Sequence, residues 1–210
     1  MLYRLTKWTV GLSTFFVALL VAGSTAFAGV PTDFIKANAQ QVSDLLETES
    51  SEERSKKFSE KLHSLVDFRE LADRALETHW DKRTDEEKEQ FLSLLQELLE
   101  ANYRKKLEGR ALGEDYEIDY LEEKMRGNKA IVKTKVNWED GEETVDYKML
   151  DSDEGWIIYD IVIDDISLVE TYRDSYTKII EEDGWGELID RMEKKAEKIR
   201  KEAKTAEKEE

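Results

Sequence analysis

The spacing of hydrophobic positions along this chain changes twice. From Pro31 to about Glu108 they recur every three or four residues, and from Tyr116 to Ile163 they alternate; from Ile166 onward the helical spacing returns. Pro31-Thr32-Asp33 reads as a helix start, followed by Phe34, Ile35, Val42, Leu45 and Leu46 on one side. The charged run Glu47 to Lys57 reads as a linker into a second short helix carrying Phe58, Leu62 and Leu65. Asp67 is placed to cap a third, whose stripe is Phe68, Leu71, Ala72, Ala75 and Leu76. Thr84 and Glu87 form a capping box for the longest helix, to about Glu108, with Phe91, Leu94, Leu95, Leu98, Leu99, Tyr103 and Leu107 inward and Gly109 as the stop.

The alternating region predicts strands. Tyr116, Ile118 and Tyr120 share one face of the first, and Arg126-Gly127-Asn128 turns the chain. Ala130, Val132, Thr134, Val136 and Trp138 share a face of the second, and Asp140-Gly141 is a hairpin signal. Val145, Tyr147 and Met149 share a face of the third. The fourth, Trp156 to Ile163, is apolar on both sides: simple alternation puts Ile157, Tyr159, Ile161 and Ile163 on one face and Trp156, Ile158 and Val162 on the other. A helix from Ser167 to Ile180 follows. After Asp183-Gly184-Trp185-Gly186, a last helix carries Leu188, Met192, Ala196, Ile199 and Ala203. Helices, then a meander, then helices predict an α+β domain: a curved four-stranded antiparallel sheet with helices packed around it.

Composition adds an address and removes several chemistries. Arg4 and Lys7, the apolar run Val10 to Val21, and Ala26-Phe27-Ala28 have the form of a signal peptide cleaved after Ala28; an uncleaved anchor is the alternative. The expected organisation is a leader over 1–28, one domain over 29–203, and a frayed charged tail over 204–210. The chain has no cysteine, so an exported form holds together without disulfides. With two histidines and no cysteine, no usual metal-ligand spacing can be assembled, and no cofactor is expected. The net charge of −17 opposes nucleic acid and anionic lipid surfaces alike. His79-Trp80 reads as a cap or packing at a helix end, and Arg173 is expected to pair with Asp164 across the corner after the fourth strand, contact with a partner protein being the alternative.

A strand that is apolar on both sides needs cover on both sides. Protein can supply all of it, or a ligand's hydrocarbon can supply part.

Three blocks carry a family resemblance. The first is Asp67-Phe68, Leu71-Ala72, Arg74-Ala75-Leu76 and His79-Trp80. The second is Thr84 with Phe91, Leu98-Leu99 and Tyr103. The third is Trp156, Tyr159-Asp160, Ile163-Asp164, Ile166-Ser167-Leu168-Val169 and Tyr172-Arg173. In this order they resemble the MlaC-type periplasmic phospholipid-binding proteins, also known as toluene-tolerance or auxiliary transport proteins. Asp165 stands where that family usually has glycine, and the chain is more acidic than expected for the family.

The resemblance implies a periplasmic, non-enzymatic carrier of phospholipid. Its partners would be an outer-membrane lipoprotein–porin complex and an inner-membrane ABC transporter of an Mla-type system. It also implies a cone like that of nuclear-transport-factor proteins, with a deep apolar cavity. Physical chemistry asks for such a cavity too, since each exposed methylene costs ~0.8 kcal/mol and two acyl chains bring about thirty of them. The expected pocket residues are Val136, Trp138, Val145, Tyr147, Met149, Tyr159 and Ile161 from the sheet, with Leu95, Leu99 and Tyr103 from the long helix. Carriage of another apolar ligand, such as a sterol-like lipid or solvent, and a cone-fold enzyme such as an isomerase are the alternatives.

Overall fold

Helix caps and hairpin turns determine where each element of this chain begins. The computed structural model describes residues 30–47, 52–111, 116–139 and 141–206. The expected leader and the last residues of the expected tail, 207–210, lie outside them.

Helix α1 (Pro31–Glu47) starts with proline in its first turn, where a missing N–H costs nothing. The Thr32 amide and hydroxyl both donate to Glu123, at 2.9 and 2.6 Å, fastening this turn to the first strand. Helix α2 (Glu52–Leu65) begins well before Phe58, so much of the expected Glu47–Lys57 linker is helical. A run dense in Glu, Lys and Arg has good helix propensity, and Lys57 pairs with Glu53 one turn back. Asp67 caps α3 (Phe68–Leu76) by accepting from the Glu70 amide at 2.9 Å. After the single turn α4 (Thr78–Asp81), the Thr84–Glu87 capping box opens α5 (Asp85–Ala111), with reciprocal bonds of 2.9 and 3.2 Å. Helix α5 continues past Gly109, so that glycine is not its stop.

The sheet has five strands rather than four: β1 (Glu117–Arg126), β2 (Lys129–Trp138), β3 (Gly141–Ser152), β4 (Gly155–Ile163) and β5 (Ile166–Ser167). They run antiparallel in sequence order. The extra strand pairs Ile166 with Ile163 around the two-residue corner Asp164-Asp165. Both corner residues have positive φ, 46° and 64°, as a tight primed turn requires. Helices α6 (Leu168–Asp183) and α7 (Trp185–Ala206) complete the chain; α7 is helical three residues into the stretch expected as tail.

A bulge in β4 changes the face assignment made by simple alternation. Lys148 pairs with Asp160 and Met149 with Ile158, leaving Tyr159 without a partner across the strand pair. One extra residue reverses the parity. Ile158 therefore joins Ile161 and Ile163 on one side, and Tyr159 turns away to stack on the Arg74 guanidinium, 4.2 Å from its ring centre.

Two packed cores result. One lies among the helices and centres on Phe91, which meets Trp80, Tyr176 and Trp185 at ring distances of 5.6 to 6.2 Å. The other joins α1 and α2 to the sheet through Ile35, Leu65, Ala130, Val132, Met149, Trp156 and Ile158. Arg173 helps hold α6 to α3. It donates to the Arg74 carbonyl and pairs with Glu77 at 3.1 Å, not with Asp164. Asp164 accepts instead from the Thr144 amide at 2.9 Å.

Candidate functional site

Strand register lays out a series of rows across one face of the sheet. Deepest is Ala130–Met149–Ile158, then Val132–Tyr147–Ile161, then Thr134–Val145–Ile163. Beyond these come Ile118–Val136–Glu143, with Tyr116 and Trp138 past them at the strand ends. The first row is solid core, with Ala130 and Met149 at 1% and 0% exposure. From the second row outward, the sheet and the helices above it part to leave a cavity of about 270 Å³.

The helical wall is made by Ile35, Asn38, Ala39 and Val42 of α1, with Leu62 and Leu65 of α2. These are the positions of one face of each helix, three or four residues apart. Phe68, Leu71 and Leu99, all buried, belong to the closed end, and Tyr116, 37% exposed, marks the open one. The lining is overwhelmingly hydrocarbon, with Asn38, Glu143, Asp160 and two tyrosines as its polar members.

Of the ten expected pocket residues, the cavity brings together Leu99, Val136, Trp138, Val145, Tyr147 and Ile161. Three lie elsewhere. Leu95 is one turn back from Leu99, 1% exposed within the helical core. Met149 sits beneath the cavity in the solid row. Tyr159 is carried away by the bulge. The side chain of Tyr103 falls outside the described part of α5. The sequence does not single out the α1 and α2 residues, because an amphipathic stripe over a cavity has the same spacing as one over solid core.

Each polar group in the wall has a physical role to account for. Asp160 is 2% exposed. One oxygen accepts from the Ser167 hydroxyl at 2.7 Å and Lys148 Nζ at 2.8 Å; the other accepts from the Val169 amide at 3.1 Å. The carboxylate thus faces the positive end of α6, whose own cap is Ser167. Burial pushes the Tyr147 phenol up to about 12, and the nearby phenols of Tyr120 and Tyr116 add to this. The phenol is accordingly neutral at any physiological pH.

An α+β protein whose sheet and two helices enclose an open-ended apolar cavity is built to hold hydrocarbon. Residues 36–194 match the sequence model of the MlaC protein family, and the chain belongs to that family. Its fold is similar to that of a phospholipid-binding protein from Ralstonia solanacearum, solved in complex with a phospholipid. The TM-score is 0.70 at 20% identity, covering 82% of this chain and 99% of that one. No curated protein sequence matches the chain.

Proposed function

We propose that this protein is a periplasmic phospholipid carrier of an Mla-type intermembrane transport system. The carrying observation is the open-ended cavity, walled by Val42, Val136, Val145, Ile161 and their neighbours and reaching about 270 Å³. Acyl chains occupy it, and the polar head stays near the surface. Membership in the MlaC family and a fold shared with a phospholipid-binding protein support this reading. Among the described residues, no helix is long and apolar enough to cross a membrane.

Catalysis is not part of the proposal. Asp160, the most buried carboxylate of the wall, has both oxygens engaged in capping α6 and pairing with Lys148. A base in use would need an oxygen directed at substrate. The proposed partners are an outer-membrane lipoprotein–porin complex that delivers or receives lipid and an inner-membrane ABC transporter at the other end. Detergent-free purification of the exported protein, followed by solvent extraction and mass spectrometry, tests the ligand assignment. A two-chain phospholipid in near-stoichiometric amount is expected; protein free of any lipid after gentle handling would remove the proposal.

A further inference from the structure

The two sides of the cavity differ in charge. At its open strand ends stand Glu117, Asp119, Glu139, Glu142, Glu143, Asp164 and Asp165. The nearby Lys135 is already paired with Glu142 at 2.8 Å. An anionic phosphate placed there meets like charge on every strand.

The α1–α2 side is different. Lys61 of α2 reaches across to α1 and donates to Asn38 Oδ1 at 2.5 Å and to Gln41 Oε1 at 2.6 Å. Asn38 is itself part of the cavity wall. Both acceptors are neutral amides. Asp44 and Glu60 border the same outer groove as Lys61, yet among the described residues no carboxylate lies within ion-pair distance of its ammonium. In a chain with 49 acidic residues against 32 Lys and Arg, a partly buried ammonium held only by amides is short of a counter-ion. Partial burial holds its pKa below the ordinary lysine value, and no neighbouring carboxylate counters this.

We propose that Lys61, presented through Asn38 at the α1–α2 edge of the cavity, is the binding residue for the phosphate of the bound lipid. This rests on the carrier reading above and names the part of the ligand it leaves open. A phosphate oxygen replaces an amide as acceptor, and a charge-assisted bond is stronger than the neutral contact it displaces. The acyl chains then run from this edge beneath α1 toward Leu71 and Leu99, and the acidic strand ends stay clear of the head.

The test compares two soluble probes with identical tails, dioctanoylglycerol and dioctanoyl phosphatidic acid. Binding is followed by tryptophan fluorescence, with Trp138 in the wall, and by native mass spectrometry. Wild type should prefer the phosphate-bearing probe. Lys61→Met should lose that probe by roughly tenfold, the worth of one charge-assisted hydrogen bond, and keep dioctanoylglycerol. Lys61→Arg should retain the preference. Equal loss of both probes in a folded Lys61→Met protein, or no change in either, overturns the assignment. If wild type binds neither probe, the carrier reading itself fails, and that result is distinct from failure of the Lys61 role.

Discussion

Val145→Asp isolates the cavity's hydrocarbon character with little change of volume. Val145 sits in the middle row of the sheet wall, opposite Thr134 and Ile163. It is half-buried in the structure, and the cavity lies in front of it. In the empty protein an aspartate here can keep water, so the fold should survive. In the loaded protein acyl methylenes replace that water. Keeping the charge is then prohibitive, and the group must take up a proton. With an ordinary carboxyl pKa near 4, that costs about 1.4 kcal/mol per pH unit, or about 5 kcal/mol at pH 7.5. If water stays beside the carboxylate, the cost falls to about 2 kcal/mol, still a thirtyfold loss. The sign with pH follows, because loading is coupled to proton uptake and the defect shrinks as pH falls towards 4.5. The assay is incubation with vesicles of phosphatidylethanolamine and phosphatidylglycerol, re-isolation, and quantification of bound lipid at both pH values, with circular dichroism as a fold control. Wild-type occupancy at pH 7.5 in a folded variant would refute the reasoning.

Three other outcomes follow from specific contacts. Asp165 has a φ of 64°, where glycine is favoured, so Asp165→Gly should raise stability by about 0.5–1 kcal/mol in urea titrations; a loss of stability would mean that its side chain contributes more than the backbone strain costs. Asp160→Ala strands Lys148, the Ser167 hydroxyl and the Val169 amide together, and should destabilise by about 3 kcal/mol in denaturant unfolding, with a change under 1 kcal/mol counting against the cap. The raised Tyr147 pKa makes a stabilising contribution, of order 2 kcal/mol, that is fully present below the unfolded-state value near 10 and lost as pH rises towards about 12. Tyr147→Phe should flatten that alkaline decline and remove one late-ionising phenol from the 295 nm titration, whereas loss of amplitude from the part of the titration near pH 10 would show that Tyr147 ionises like an exposed tyrosine.

Much of the fold was legible because local chemistry and final packing agree. The Thr84–Glu87 box, the Asp67 cap and the alternation in β2 and β3 each specify one outcome, and each forms. The β4 bulge was not legible. In Trp156–Ile163 the single charged residue is Asp160, and it is buried as a helix cap, so no wet side fixes the parity. Gly109 looks like a stop because glycine weakens a helix interior by about 1 kcal/mol, but that local penalty does not by itself end α5. For the cavity, periodicity groups Val136 with Trp138 on β2 and Val145 with Tyr147 on β3, and these line it, but periodicity alone does not say which face of the sheet is concave. Nothing in the spacing of Ile35, Asn38, Ala39 and Val42 distinguishes a wall from a core, and depth along the face, which separates Met149 from Tyr147, depends on how far apart α1 and the sheet stand.

The most direct measurement is native mass spectrometry of the exported protein, purified without detergent and sprayed intact. A single added mass that is released on activation and identified by extraction as a two-chain phospholipid is the expected result. A spectrum of bare protein alone, from folded material that also takes up nothing on incubation with lipid vesicles, would contradict the carrier assignment.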